Sequence, residues 1–254
     1  MKLSTIVSRL DETLDTAAYS EVDASANGLQ VGPDDRDIDH VAFAVDAATA
    51  TIEAAAAAGA DLFVTHHGLS WGGIERVTGR QYDRISALID HNLALYVSHL
   101  PLDGQQTHGN AAGLASLLGL VDTDPFGSLG GVTIGQQGRV DGAMTLDELG
   151  EVLSAELERD DPVRLLDFGA REVDRVAIVT GSGVDWLDEA VATGCDTLIT
   201  GEGKQQVYHE AREAGLNVVL AGHYATETFG VRNLQSLVGD WGPETSYHSH
   251  PTGL

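Results

Sequence analysis

Lysine is nearly missing from this chain: Lys2 and Lys204 are the only two among 254 residues. Basic residues number 14 against 39 acidic ones, so the formal net charge is −25. A surface of that sign repels phosphates, and no run of Lys or Arg interrupts it, which excludes a general nucleic-acid-binding face. Abundant Asp and Glu, little lysine and many alanines point to a salt-rich, halophilic cytoplasm, where counter-ions screen the self-repulsion. Cysteine is as scarce. Cys195 stands alone, which rules out an internal disulfide and a cysteine-based zinc site. Leading into a strand, it reads as a small core residue. No apolar run approaches the ~20 residues that span a bilayer. Met1 to Tyr19 has no apolar core and carries acidic residues early, unlike a signal peptide. These absences predict a soluble cytoplasmic protein without membrane or nucleic-acid partners.

What is present is alternation. Leu3, Ile6, Val7, Leu10 and Leu14 have helical spacing and predict an amphipathic helix over 1–18. Ala26 to Gly32 reads as a turn and a short extended piece. Then come a strand at Val41–Val45, an alanine-rich helix at Ala47–Ala58 and a strand at Asp61–Thr65 that runs into His66-His67-Gly68. A helix at Gln81–His91, a strand at Leu93–Ser98 and a helix at Asn110–Leu118 follow. Strand–helix–strand at this spacing implies parallel pairing through right-handed crossovers. Near Asp122 the texture changes. Pro125, Gly127, Gly130 and Gly131 predict a linker, followed by a strand at Val132–Val140 and a helix opened by a capping box, Thr145 to Glu148. Strands at Arg164–Phe168 and Arg175–Thr180 come next.

From there the first half repeats. Val41, Gly59 and Asp61 match Val176, Gly194 and Asp196 at one offset of 135 positions. His99 and Asp103 match His223 and Glu227 at an offset of 124. Two alignments with chemically matched residues predict duplicated βαβ halves about a pseudo-two-fold axis. The expected fold is therefore α/β: two interlinked, pseudo-symmetric halves, with a site at the strand C-terminal ends between them. The approximate division is residues 1–124 with 222–254 for one domain and 125–221 for the other.

The chemistry gathers where the strands end. His66, His67, His99, Asp103, Glu202, His223 and Glu227 all lie just past strand ends, where open α/β sheets collect ligands. Taken singly, each is also what a solvated loop side chain looks like. Taken together, imidazoles with carboxylates suit Zn, Fe, Mn or Co. Carboxylates can also bridge, so four or five such groups would hold two ions roughly 3.5–4 Å apart. Both rings of an adjacent pair on a strand converge only if the backbone turns, and Gly68 is suited to that turn. Two glycine-rich turns invite other readings. Thr180-Gly-Ser-Gly183 lacks dinucleotide spacing and reads as a tight turn rather than an anion cradle. Gly201-Glu-Gly-Lys204 is not a phosphate-binding loop, although Lys204 is a candidate phosphate contact.

Six segments carry a family resemblance: Asn27-Gly-Leu-Gln-Val-Gly32, Thr65-His-His-Gly68, Ser98-His-Leu-Pro-Leu-Asp103, Gly109-Asn110, Thr200-Gly-Glu202 and Gly222-His-Tyr-Ala-Thr-Glu227. With the ending His250-Pro-Thr-Gly-Leu254, they cover essentially the whole chain. The chain resembles the dinuclear-metal proteins called GTP cyclohydrolase I type 2 homologues, or the Ngg-interacting-factor-three-like family. The resemblance implies metal ligands at His66, His67, Asp103, His223 and Glu227, and two divalent ions, Zn, Fe or Mn. It implies a ring-shaped homohexamer and a nucleotide-like small-molecule substrate. His99 matches a family histidine placed beside the metals rather than on them. Some members carry an inserted middle domain, for which this chain is too short.

A hydrolase is the leading expectation: a metal-activated water would attack an electrophilic carbon or phosphorus, with His99 or Glu202 as proton shuttle. A non-catalytic metal-binding or regulatory protein is the alternative. An open coordination position beside a polar pocket separates the first from the second.

Overall fold

Hydrophobic spacing decides the first element of the computed structural model, which describes residues 1–159 and 161–253. Leu254, the end of the C-terminal motif, lies outside the described residues. Helix α1 (Leu3–Leu14) buries Leu3, Ile6, Leu10 and Leu14. It ends earlier than its spacing predicts, because Asp15 turns left-handed and a short 3-10 turn, Thr16–Tyr19, follows. Next come β1 (Gly28–Val31), β2 (His40–Asp46), α2 (Thr49–Ala57), β3 (Leu62–His67), α3 (Arg80–Asp90) and β4 (Ala94–Val97). Short α4 (Leu100–Gly104) leads to α5 (Asn110–Leu117), β5 (Val121–Leu129) and β6 (Val132–Arg139). The chain continues as α6 (Leu146–Glu156), β7 (Arg164–Leu166), β8 (Arg175–Ile178), α7 (Leu187–Ala192), β9 (Thr197–Thr200), α8 (Val207–Ala214) and β10 (Asn217–Leu220). It closes with α9 (His223–Thr226), α10 (Thr228–Asp240) and β11 (Glu244–Tyr247). No helix among the described residues is long and apolar enough to cross a membrane.

These elements form two compact units: Met1–Leu102 with Gly230–His250, and Asp103–Phe229 with the residues from Pro251. The chain leaves the first unit and later re-enters it, so the halves are interlinked along the sequence. The first unit holds a sheet in the order β1-β4-β3-β2-β11, in which β1 alone runs antiparallel. Its parallel strands β2, β3 and β4 are buried along nearly their whole length, as expected of a parallel sheet covered on both faces. Phe63, Leu88, Leu95 and Ile52 anchor its core. The second unit holds a sheet in the order β5-β6-β8-β9-β10-β7, where β8, β9 and β10 are parallel. Leu149, Leu153, Val176, Ile199 and Val219 pack together in its core.

The duplication is visible strand by strand. In each unit three parallel strands follow one another, and the strand preceding them in the chain, β1 or β7, pairs antiparallel with the third. The backbone detail repeats as well. Asp61 Oδ2 accepts hydrogen bonds from Asp39 N (2.9 Å) and His40 N (3.1 Å) at the start of β2. Asp196 Oδ2 accepts from Asp174 N and Arg175 N, both at 2.9 Å, at the start of β8. Gly59 and Gly194, which close the preceding helices, have φ of +74° and +77° with open space where a Cβ would lie, so they answer a conformational need. We expect Asp61→Ala and Asp196→Ala to lower stability by similar amounts, about 1 kcal/mol each, since water replaces part of these exposed bonds. Urea midpoints measure this; a loss at only one site would contradict the equivalence.

One expectation fails. The stretch from Asp122 to Gly131 is a strand and hairpin turn, not a linker. Gly130 and Gly131 both have positive φ (57° and 98°) and join Leu129 to its partner Val132, which is the two-residue turn that suits strand twist. Pro125 is tolerated because β5 is the edge of its sheet.

Candidate metal centre

Strand β3 is flanked by β4 and β2, and that position orients its two histidines. Thr65 pairs with Val97 in the parallel register, so the next residue, His66, reaches the exit of β4: its Nδ1 donates to Ser98 O at 2.9 Å. His67 pairs with Asp46 at the end of β2, and its Nδ1 lies 2.9 Å from Asp46 Oδ1. Both histidines thus belong to the strand itself, one residue pair further than expected. Gly68 plays a different part from the predicted turn. Its φ is not positive, but a Cβ there would come within 2.6 Å of Gln30 and Val97. Glycine serves close approach at that position.

His99 joins the pair. Its Nδ1 lies 2.9 Å from Asp23 Oδ1, and its backbone N donates to Asn27 Oδ1. The Asp23 carboxyl is shielded from solvent, and that alone would raise its pKa. Hydrogen bonds from His99, Asn27 and Ser25 outweigh that and hold the carboxyl below its usual range. A carbonyl or a carboxylate only accepts, so each of the three imidazoles carries its proton on Nδ1 and keeps Nε2 as its basic nitrogen. The three rings lie 4.6 to 5.7 Å apart, and one nitrogen from each lies within 4.8 Å of the others. This is how proteins orient histidine ligands for a divalent ion.

In the second unit the carboxylates gather around one tight turn. Asp103 is buried, and its Oδ1 accepts from Asn110 Nδ2 (2.8 Å) and Thr180 Oγ1 (2.9 Å). Next in sequence is Gly181, where a Cβ would sit 2.3 Å from Glu227 Oε1 and 3.1 Å from His223 Nε2. Asp103, Glu227 and His223 therefore flank a single dipeptide, Thr180-Gly181. The turn is a plain one, as predicted: Gly181 N donates to Thr226 Oγ1 and Gly183 N to Thr200 Oγ1, so those groups are committed within the protein. Lys204 pairs with Asp185, which occupies the ammonium offered as a phosphate contact. Cys195 is buried, as expected.

His223 lies between two carboxylates, Nε2 3.2 Å from Glu227 Oε1 and Nδ1 3.3 Å from Glu202 Oε1. The hydrogen bond to buried Glu227, against the opposing effect of burial, pushes its pKa up to about 9. Glu202 is held below the usual carboxylate range, first by the Ser182 hydroxyl and then by His223. A pKa that high favours the imidazolium at neutral pH, which places a positive charge between the two carboxylates. A histidine pKa raised from 6.5 to about 9 stabilises the fold fully below about pH 6.5, and the benefit fades as pH rises through about 9. We therefore expect metal-free protein to lose on the order of 3 kcal/mol from this group between those limits. Urea unfolding against pH, with His223→Gln as reference, measures it; parallel curves would refute the assignment.

In each unit the donor types fit divalent transition ions: imidazoles with fixed tautomers in the first, and buried carboxylates beside an imidazole in the second. Sequence reasoning named His66, His67, His99, Asp103, Glu202, His223 and Glu227 but missed Asp46, Asp23 and Thr180, which orient them. Asp46 had a legible signal, an acid ending a strand. We expect Asp46→Ala to weaken metal binding by about 10- to 100-fold while leaving the fold intact. Chelator competition measures this, and an unchanged affinity would contradict the orienting role.

Comparison with known proteins agrees over the whole length. The model of the family described as Duf34/NIF3 (NGG1p interacting factor 3) matches residues 1–246. A protein from Halobacterium salinarum named GTP cyclohydrolase 1 type 2 homolog is 55% identical over 255 residues, covering 100% of each chain. One of the same name from Pyrococcus abyssi is 41% identical, again over 100% of each. Among solved structures, the structural-genomics protein ybgI, described as of unknown function, superposes with a TM-score of 0.91 at 32% identity, covering 100% of both chains. A protein from Thermus thermophilus superposes with a TM-score of 0.88 at 36% identity, also over 100% of both. With its fold, its histidine-bearing strand end and a family model spanning nearly all of it, the chain belongs to the Duf34/NIF3 family.

Proposed function

We propose that the chain is a metal-dependent hydrolase acting on a nucleotide or related small molecule, with two divalent ions, Zn, Fe or Mn, held by His66, His67, Asp103, His223 and Glu227. The observation that carries this reading is the shared tautomer of His66 and His67, each Nδ1 committed to its own acceptor. Ions bound there would supply Lewis acidity and a water of lowered pKa. Access for substrate is supported by the side chains of His67, His99 and Glu202, which keep 20%, 20% and 48% of their surface exposed. That exposure favours an enzyme over a closed metal-storage or regulatory protein. His99, oriented by Asp23, would receive or return a proton at Nε2. Glu202, ionised across the neutral range, would orient a donor or accept a proton from the substrate. The relatives' name, GTP cyclohydrolase 1 type 2 homolog, makes opening of the purine imidazole ring of GTP the first reaction to test.

Metal analysis coupled to an activity screen over nucleotides and phosphoesters in molar salt tests the proposal. Turnover that requires metal and falls in His99→Ala and Glu202→Gln is the expected result. Stoichiometric metal with no turnover on any substrate would favour the storage or regulatory reading. The same proposal takes the protein as a cytoplasmic homohexamer, for which light scattering in molar salt should give a mass near six chains.

A further inference from the structure

Tryptophan is a costly side chain to leave in water, yet Trp71 is 47% exposed beside the histidine cluster. Its indole meets His99 edge to face, with centroids 4.8 Å apart and planes at 82°, and lies 6.0 Å from His67. The exposure is not that of a loose loop. Trp71 bridges to Ser25, with Ala26 N donating to Ser70 O (3.2 Å) and Gly72 N to Ala24 O (2.6 Å). The same segment carries Asp23, which holds His99, so indole and imidazole are fixed to one frame. Beyond it, Gly72 and Gly73 take φ of +69° and +105° with open space around them and carry the chain away. On another side, away from the histidines, Trp71 lines an open cleft of about 510 Å³ with Leu69, Ile74, Glu75, Arg76 and Gln81, within the size range of small-molecule sites.

We propose that Trp71 is a specificity-determining platform on which a planar heteroaromatic ring of the substrate stacks beside His99 and His67. The inference deepens the hydrolase reading and rests on it for the reaction, but the stacking itself is testable without turnover. A residue needed only to cover His99 would turn its bulk inward, as an aliphatic side chain could. A half-exposed indole on a segment tied down by backbone bonds is suited to stack a nucleobase-like ring at little ordering cost.

The test is calorimetric binding to the full-length chain in molar salt. Its probes are guanosine, which carries the ring, and ribose 5-phosphate, which does not. We expect Trp71→Ala to weaken guanosine by roughly 10- to 100-fold and Trp71→Phe by no more than about threefold. Ribose 5-phosphate affinity and metal content should stay at the wild-type level in both variants. Equal losses on the two probes, or metal lost from Trp71→Ala, would make Trp71 a structural residue and overturn the proposal. So would guanosine affinity that is unchanged in Trp71→Ala or absent in the wild type. A chain that takes up no metal yet shows the guanosine-selective loss would refute the hydrolase reading and leave the platform standing.

Discussion

Glu227→Ala dialysed in molar salt should retain well under one divalent ion per chain, while His67→Ala treated identically keeps about one. The asymmetry follows from charge. Two dications a few ångströms apart repel strongly, and an anion shared between them is what makes the spacing tolerable. Glu227 is suited to that part. It is 3% exposed, caps the end of α9, packs its carboxylate against Gly181, and reaches His223 Nε2 at 3.2 Å. A terminal imidazole such as His67 can be replaced by water at one ion only. Glu227→Gln, which keeps volume but not charge, should behave like the alanine variant. Equal retention in Glu227→Ala and His67→Ala would mean that Glu227 bridges nothing.

Gly181→Ala is the second change with a large expected effect, because one methyl group meets two site residues. The backbone there has φ of +60°, which costs an alanine roughly 1 kcal/mol. The new Cβ would also lie 2.3 Å from Glu227 Oε1, so the carboxylate must leave its place and give up His223. We expect metal affinity to fall by about 100-fold and the His223 pKa to drop toward its ordinary value once that bond is gone. Gly194→Ala is the matched control, since its φ is +77° with nothing within 4 Å of a Cβ. It should show the backbone cost alone and keep its metal. Chelator competition and histidine NMR titration read both effects. If the two variants lost metal affinity alike, backbone strain rather than displacement of Glu227 would be the cause.

Much of the fold could be read from local pattern. The helical spacing of α1, the capping box at Thr145 and the 135-position repeat are periodic signals, and the sheets reproduce them down to the Asp61 and Asp196 caps. The strand-end histidines were legible for the same reason: they interrupt an apolar run where a parallel sheet must stop. What escaped was of two kinds. The β5 hairpin was hidden by Pro125 and five glycine or aspartate breaks, because an edge strand tolerates residues that a central strand excludes. The orienting partners were hidden by distance along the chain. Asp23 holds His99 from 76 residues away, and Thr180 holds Asp103 from 77. Spacing shows that a histidine ends a strand, but not which acceptor the folded sheet brings to its Nδ1.

The central claim is that two divalent ions share one centre built from the five proposed ligands. Loading the metal-free protein with Mn(II) and recording its electron paramagnetic resonance spectrum, alongside metal stoichiometry, tests this most directly. The account predicts about two ions per chain and a spin-coupled spectrum corresponding to a separation of roughly 3.5–4 Å. A single ion per chain, or two ions with the uncoupled six-line signal of isolated Mn(II), would contradict it.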